Sequence, residues 1–174
     1  MKKPQKKFFN IFLRYLILII VAIPNLWFFY FIFKPLTIYP VFFLLSLFFN
    51  ASLSGNSILF NQISIEIINA CIAGSAYYLL LILNLSIPKI KFNKRLKMIF
   101  LSFAFLLIAN ILRIFILSLI FINNPALFDI THKLSWYFGS IVFVIAIWFA
   151  EVKYFKIKEI PFYSDIKLIL RQIK

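Results

Sequence analysis

The 174-residue chain holds one cysteine, one histidine, three glycines and five carboxylates. One cysteine rules out an internal disulfide, and one cysteine with one histidine supplies too few soft ligands for a zinc site. Neither a metal nor a cofactor is expected. In place of polar residues the chain carries apolar mass: 64% of it is hydrophobic, 20% is aromatic and 24 residues are phenylalanine. No soluble domain of this size could bury so much apolar side chain beneath a polar surface. The composition is that of an all-α integral membrane protein, a bundle of about four to six transmembrane helices. A net charge of +14 would suggest nucleic acid in a soluble protein. Here most of the basic residues stand in blocks beside apolar runs, where they set topology. The expected partners therefore include membrane lipids and no nucleic acid.

The chain reads as a single transmembrane domain over residues 1–174. It has a basic cytoplasmic N-terminus at 1–7, a core at about 55–150 and a basic cytoplasmic tail at 151–174. Four lysines between Met1 and Lys7 precede an apolar run from Phe8 to Phe33. The run is too long for the h-region of a signal peptide and shows no small-residue cleavage site, so it is expected to remain as a span. Its roughly 26 residues reach about 39 Å, beyond the ~30 Å hydrocarbon layer, which predicts tilt or a bend at Pro24-Asn25. Arg14 is expected to snorkel to the basic side. A second run, Leu36 to Phe49, contains Pro40 and is short for a crossing, so a re-entrant or interfacial path is expected. Residues 50–69 are more polar, and β-branched residues with partial alternation follow Ser54-Gly55-Asn56-Ser57. They predict a short extended or hairpin segment on the membrane surface ahead of the cysteine helix.

A span from Ala70 to about Ile87 ends at Pro88, followed by Lys89, Lys91, Lys94, Arg95 and Lys97. The next span runs from Met98 to Ile122, a loop from Asn123 to Lys133 holds Asp129 and His132, and the last span covers Leu134 to Ala150. Basic loops and tails stay in the cytoplasm, which places Cys71 and His132 on the opposite side. A cytoplasmic N-terminus followed by two crossings would bring the chain back inside before Cys71. The parity therefore favours four spans, with Leu36 to Phe49 not crossing by itself.

Three residues carry chemistry. Cys71 stands where a polar segment turns into a span, and the free N–H groups and dipole of a helix N-terminus there favour a thiolate. Gly74 and Ser75, three and four residues on, are small and would share its helical face, letting another helix approach the sulfur. Arg113 lies mid-span, where an arginine costs about 2.5–3.5 kcal/mol on insertion scales and so faces protein or water. Asn110, one turn earlier, can orient the guanidinium. His132, at the start of the last span, can move a proton near neutral pH. A nucleophile, an oxyanion stabiliser and a general acid/base make a complete acyl-transfer set.

At these residues the sequence resembles the exosortase/archaeosortase family of membrane-embedded cysteine transpeptidases, which carry an ordered Cys, Arg, His triad. It is most similar to the short pacearchaeosortase forms, through Ala70 to Tyr78 and the tail Ile160-Pro161-Phe162-Tyr163-Ser164-Asp165. The resemblance covers roughly Gly55 to Asp165. One departure is a glycine at the third position after the cysteine, Cys71-Ile72-Ala73-Gly74, where many bacterial members have Cys-x-Gly. The resemblance implies that Cys71, Arg113 within Asn110-x-x-Arg113, and His132 take the family roles. It also implies a membrane protease/transpeptidase that cleaves a C-terminal tripartite sorting signal from exported surface proteins. The protein would be held as a thioester and passed to a lipid or other acceptor, with the active site facing the noncytoplasmic side of the cell membrane.

Two rival readings differ in kind. Gly55-Asn56-Ser57 with His132 could begin a serine protease, but that serine stands in a polar loop instead of heading a packed span. A noncatalytic membrane subunit or scaffold is the stronger alternative.

Overall fold

The computed structural model describes residues 3–60, 63–163, 165–167 and 170, with side chains from residue 9 onward. Met1 and Lys2 of the basic N-terminus, and Arg171 and Lys174 of the basic tail, lie outside the described residues. Helices dominate, as the composition requires: α1 (Lys3–Ala22), α2 (Trp27–Ser46), α3 (Asn69–Ile72), α4 (Gly74–Leu85), α5 (Phe92–Asn123), α6 (Pro125–Leu134) and α7 (Ser140–Tyr154). A π-helical turn, Ser135–Gly139, joins α6 to α7 without a break. Among the described residues, three helical stretches are long and apolar enough to cross a membrane: Trp27–Ser46, Phe92–Asn123 and Pro125–Tyr154. Phe12, Phe100, Ile141 and Phe149 are exposed on the outside of the bundle, an arrangement that suits lipid and not water.

The first apolar run is not one span. Asn25 and Leu26 take left-handed backbone angles, φ 49° and 60°, and separate α1 from α2. The helix then continues through Pro35 and Pro40, so the expected boundary after Lys34-Pro35 does not exist. Proline is tolerated inside a membrane helix because neighbouring groups can satisfy the freed carbonyls.

Side-chain contacts give the directions. Arg14 reaches the carbonyls of Leu85 and Ile87, and Tyr78 donates to the Leu18 carbonyl, so α1 runs antiparallel to α4. Asn84 lies against Ser102 while Asn110 reaches Cys71, which makes α5 antiparallel to α4 as well. Phe33 packs on Phe103 and Phe48 on Phe115, so α2 runs with α5. Helices α1 and α2 thus advance in the same direction, joined by a sideways step. Together they carry the chain from the lysine-rich end to the other end, which resolves the parity problem by merging two apolar runs into one traverse.

The core lies between α2, α4 and α5 around Tyr77. Its ring stacks on Phe33 with centroids 3.8 Å apart and meets Phe103 edge-on at 5.4 Å. Geometries of this kind contribute beyond the apolar area they bury. At the lysine-rich end, the last carbonyls of α4 have no helical partners and are met by two arginines. Arg95 donates to Asn84, Leu85 and Ile87, and Arg14 to Leu85 and Ile87. Arg14 does not snorkel. Its second terminal nitrogen grips the Asp165 carboxylate at 2.8 and 2.9 Å, and Asp165 is buried.

The polar stretch before Cys71 forms a three-stranded antiparallel meander, β1 (Ser52–Ser54), β2 (Ser57–Phe60) and β3 (Ile63–Glu66), in the order β1-β2-β3. Gly55, at φ 60°, takes the first position of the two-residue turn between β1 and β2, where a hairpin turn of this hand needs glycine. Ile58, Phe60 and Ile67 are buried in the core. The meander is therefore anchored to the bundle and does not simply rest on a lipid surface.

Candidate active site

Cys71 does not head a long helix. It belongs to the single turn α3, and Ala73, at φ 59° and ψ 40°, separates that turn from α4. The left-handed residue rotates everything after it. Ser75 consequently points out of the bundle, not along the face of Cys71, and the dipole of the longer helix starts at Gly74. Gly74 does permit a close approach, by Tyr30 of α2: a Cβ at position 74 would lie 2.7 Å from the Tyr30 ring. Cys71 is half-buried and its carbonyl is held by two residues of α5. Asn110 Nδ2 donates to it at 2.8 Å and Arg113 Nη2 at 3.4 Å.

Arg113 is fixed from the other side by Ser140, whose Oγ accepts from Nη1 at 3.0 Å. Ser140 is the first residue of α7, placed there by the π-helical turn. A turn of that type carries one extra residue and resets the helical phase, which lets α6 and α7 present different faces to α5. The buried Nε of Arg113 has no partner among the described residues.

His132 lies on a helix. Residues 124–133, expected as loop, begin with Asn124 accepting from the Leu127 N–H and Pro125 at the first helical position, and α6 follows. Asparagine before proline is a helix-start signal by itself. The imidazole stacks on Phe128, centroids 5.1 Å apart and planes 7° apart, and Phe128 packs edge-on against Phe121 of α5.

These positions converge on one cleft of about 250 Å³. It is lined by β3 and the residues just after it, by Cys71, by the α5 face from Arg113 to Phe121, and by Phe128 and His132. Cys71 sits deep within it. Its level on α5 is Asn110, thirteen residues or roughly 20 Å from the helix end at Asn123, with β3 and α6 forming the walls above. The expected place at the water interface becomes a recess. Two residues escaped the sequence reading: Glu66 at the end of β3, which lines the cleft, and Ser140, which stands behind the arginine and not in the cleft wall. Glu66 is one of only five acidic residues and stands five positions before the cysteine, the one signal that could have singled it out. Nothing in the sequence marks Ser140.

The family model for transmembrane exosortases matches residues 5–150. The chain belongs to the transmembrane exosortase family. The match takes in α1 and α2, ahead of the residues that carry the resemblance in the sequence, and ends before the Ile160–Asp165 tail. No curated protein and no solved structure matches this exosortase. As a member of the family it is a membrane protein and a transpeptidase in the general sense, and the cleft around Cys71 is where its geometry gathers reactive groups.

Proposed function

We propose that this exosortase cleaves a C-terminal sorting signal from exported proteins through a thioester on Cys71. The observation that carries the reading is the convergence of the chain's only cysteine, its only histidine and its mid-span arginine on one recessed cleft. The Cys71 thiolate attacks the scissile carbonyl, forming the C–S bond as the carbonyl π pair moves onto oxygen. Arg113, which lines the cleft beside Cys71, stabilises that oxyanion. When the tetrahedral centre collapses, the C–N bond breaks and His132 protonates the departing amine. His132 then takes a proton from the acceptor, a lipid or another nucleophile, as it attacks the thioester and restores the thiolate.

Asn110 and Ser140 position the site. The first holds the Cys71 carbonyl and the second holds Arg113. The basic loop after Pro88 and the basic tail put the opposite end of the bundle, and the cleft with it, on the noncytoplasmic side of the cell membrane. The deciding experiment follows an exported protein bearing such a tail in cells that carry Cys71→Ala. Processing is expected to stop while protein level and insertion are unchanged; full processing by the variant would remove the cysteine-enzyme reading and favour a scaffold.

A further inference from the structure

Strand β3 is an edge strand, and its free edge belongs to the cleft. Ile67 donates to the Asn56 carbonyl at 3.0 Å, which identifies the facing pair as a hydrogen-bonded one. In an antiparallel ladder such pairs alternate with pairs whose N–H and C=O groups point away from the partner. The register Ile58↔Ile65, Leu59↔Ser64 and Ser57↔Glu66 therefore turns the main-chain groups of Ser64 and Glu66 outward, away from β2. None of these four groups has a partner among the described residues. Five consecutive residues, Ser64 to Ile68, line the same cleft as Cys71, Arg113 and His132. The strand runs straight into the nucleophile's turn, for the Ile68 carbonyl accepts from the Cys71 N–H at 2.9 Å.

An exposed strand edge is ordinarily a hazard that proteins blunt or cover. Here it is left open within a recess that also contains a thiol. Unpaired N–H and C=O groups repeating every second residue are matched by one kind of ligand, the main chain of an extended peptide. From this we infer that β3 receives the substrate as an added strand, the residues on the acyl side of the scissile bond pairing with Ser64 and Glu66. The inference rests on Cys71 being the nucleophile, because the edge is useful only if it delivers a carbonyl to that sulfur. Pairing on the acyl side also keeps the thioester-bound product in register while the leaving segment departs.

The test uses full-length protein in detergent micelles and acetyl-trialanyl chloromethyl ketone, which alkylates a thiol after docking through its acyl-side residues. The rate of Cys71 alkylation is read by intact mass, with iodoacetamide as the measure of intrinsic thiol reactivity. N-methylation of the peptide, one amide at a time, should slow alkylation at alternate positions only. The expected factor is about five-fold for each lost bond, the size that accompanies one net hydrogen bond. Equal rates across the methylated series would overturn the inference. Glu66→Pro removes an outward N–H and leaves the β2–β3 ladder intact, so it should slow the ketone and not iodoacetamide; an unchanged ketone rate also overturns it. The nucleophile is judged apart from this, by tail processing in Cys71→Ala. A flat methylation series beside an inactive alanine variant removes the added strand and keeps the thioester chemistry.

Discussion

Arg113 is held by Ser140 on one side and by the Cys71 carbonyl on the other, a fixed fork that an ammonium cannot reproduce. Arg113→Lys is therefore expected to lower turnover ~10²–10³-fold, the usual effect of losing an oxyanion donor, with the protein still inserted. Near-normal turnover in the lysine variant would make Arg113 a structural anchor. Ser140→Ala should give a milder defect, about ten-fold in kcat with KM little changed, because it loosens the guanidinium without removing it. Comparing kcat and KM separates this positioning role from a loss of substrate binding. Gly74 is constrained by volume. Alanine there would drive its Cβ into the Tyr30 ring, and overpacking of this kind costs about 1–3 kcal/mol. A lower Tm for Gly74→Ala, restored in part when Tyr30 is shortened to leucine, is the expected result.

At the scale of elements, the sequence was most informative where apolar length and basic blocks coincide. The apolar run of α5 could be placed from composition alone, and so could the small extended segment after Ser54. The basic block expected as a loop from Lys89 to Lys97 instead runs into the helix, since α5 begins at Phe92 and holds Lys94, Arg95 and Lys97. Direction was harder to read. Apolarity reports how much chain can cross a bilayer and not which way it travels, so the bend expected at Pro24-Asn25 was legible and falls at Asn25-Leu26, whereas the continuation of α2 along the heading of α1 as far as Ser46 stayed hidden. Pro35 and Pro40 pointed to a boundary that the surrounding helices override. The break at Ala73 had no signal either, since alanine is a poor candidate for a left-handed angle. It displaced Ser75 from the site and left Cys71, Arg113 and His132 around a cleft whose depth no residue count could give, with Asn110 buried behind the Cys71 carbonyl. The expected topology has a direct check. A membrane-impermeant maleimide can react at only one position, and it should label Cys71 in intact cells. Labelling only after the cells are opened would reverse the orientation.

Across the whole molecule, the ends of the bundle are unequal. The cleft end is walled by a small sheet and α6, whereas the lysine-rich end is closed by Arg14, Arg95 and Asp165 around the carbonyls that end α4. Arg14 and Asp165 are largely withdrawn from solvent, with side-chain exposures of 13% and 2%. Removing one partner of a buried pair leaves a charge without compensation and costs about 3–5 kcal/mol. Asp165→Asn is thus expected to lower the Tm by several degrees and leave the thiol chemistry of Cys71 unchanged; no change in Tm would show the pair to be dispensable.

The same pair also has a timetable. Arg14 and its carboxylate are 151 positions apart in the chain, and synthesis proceeds at about 5–20 residues per second. An arginine set among apolar residues must therefore wait on the order of ten seconds for its counter-ion. For the first part of that interval even the α4 carbonyls that later receive it have not been made. Throughout, the Arg14 guanidinium lacks the carboxylate that grips it in the finished fold, and the lysine-rich end of the bundle closes only when Asp165 arrives.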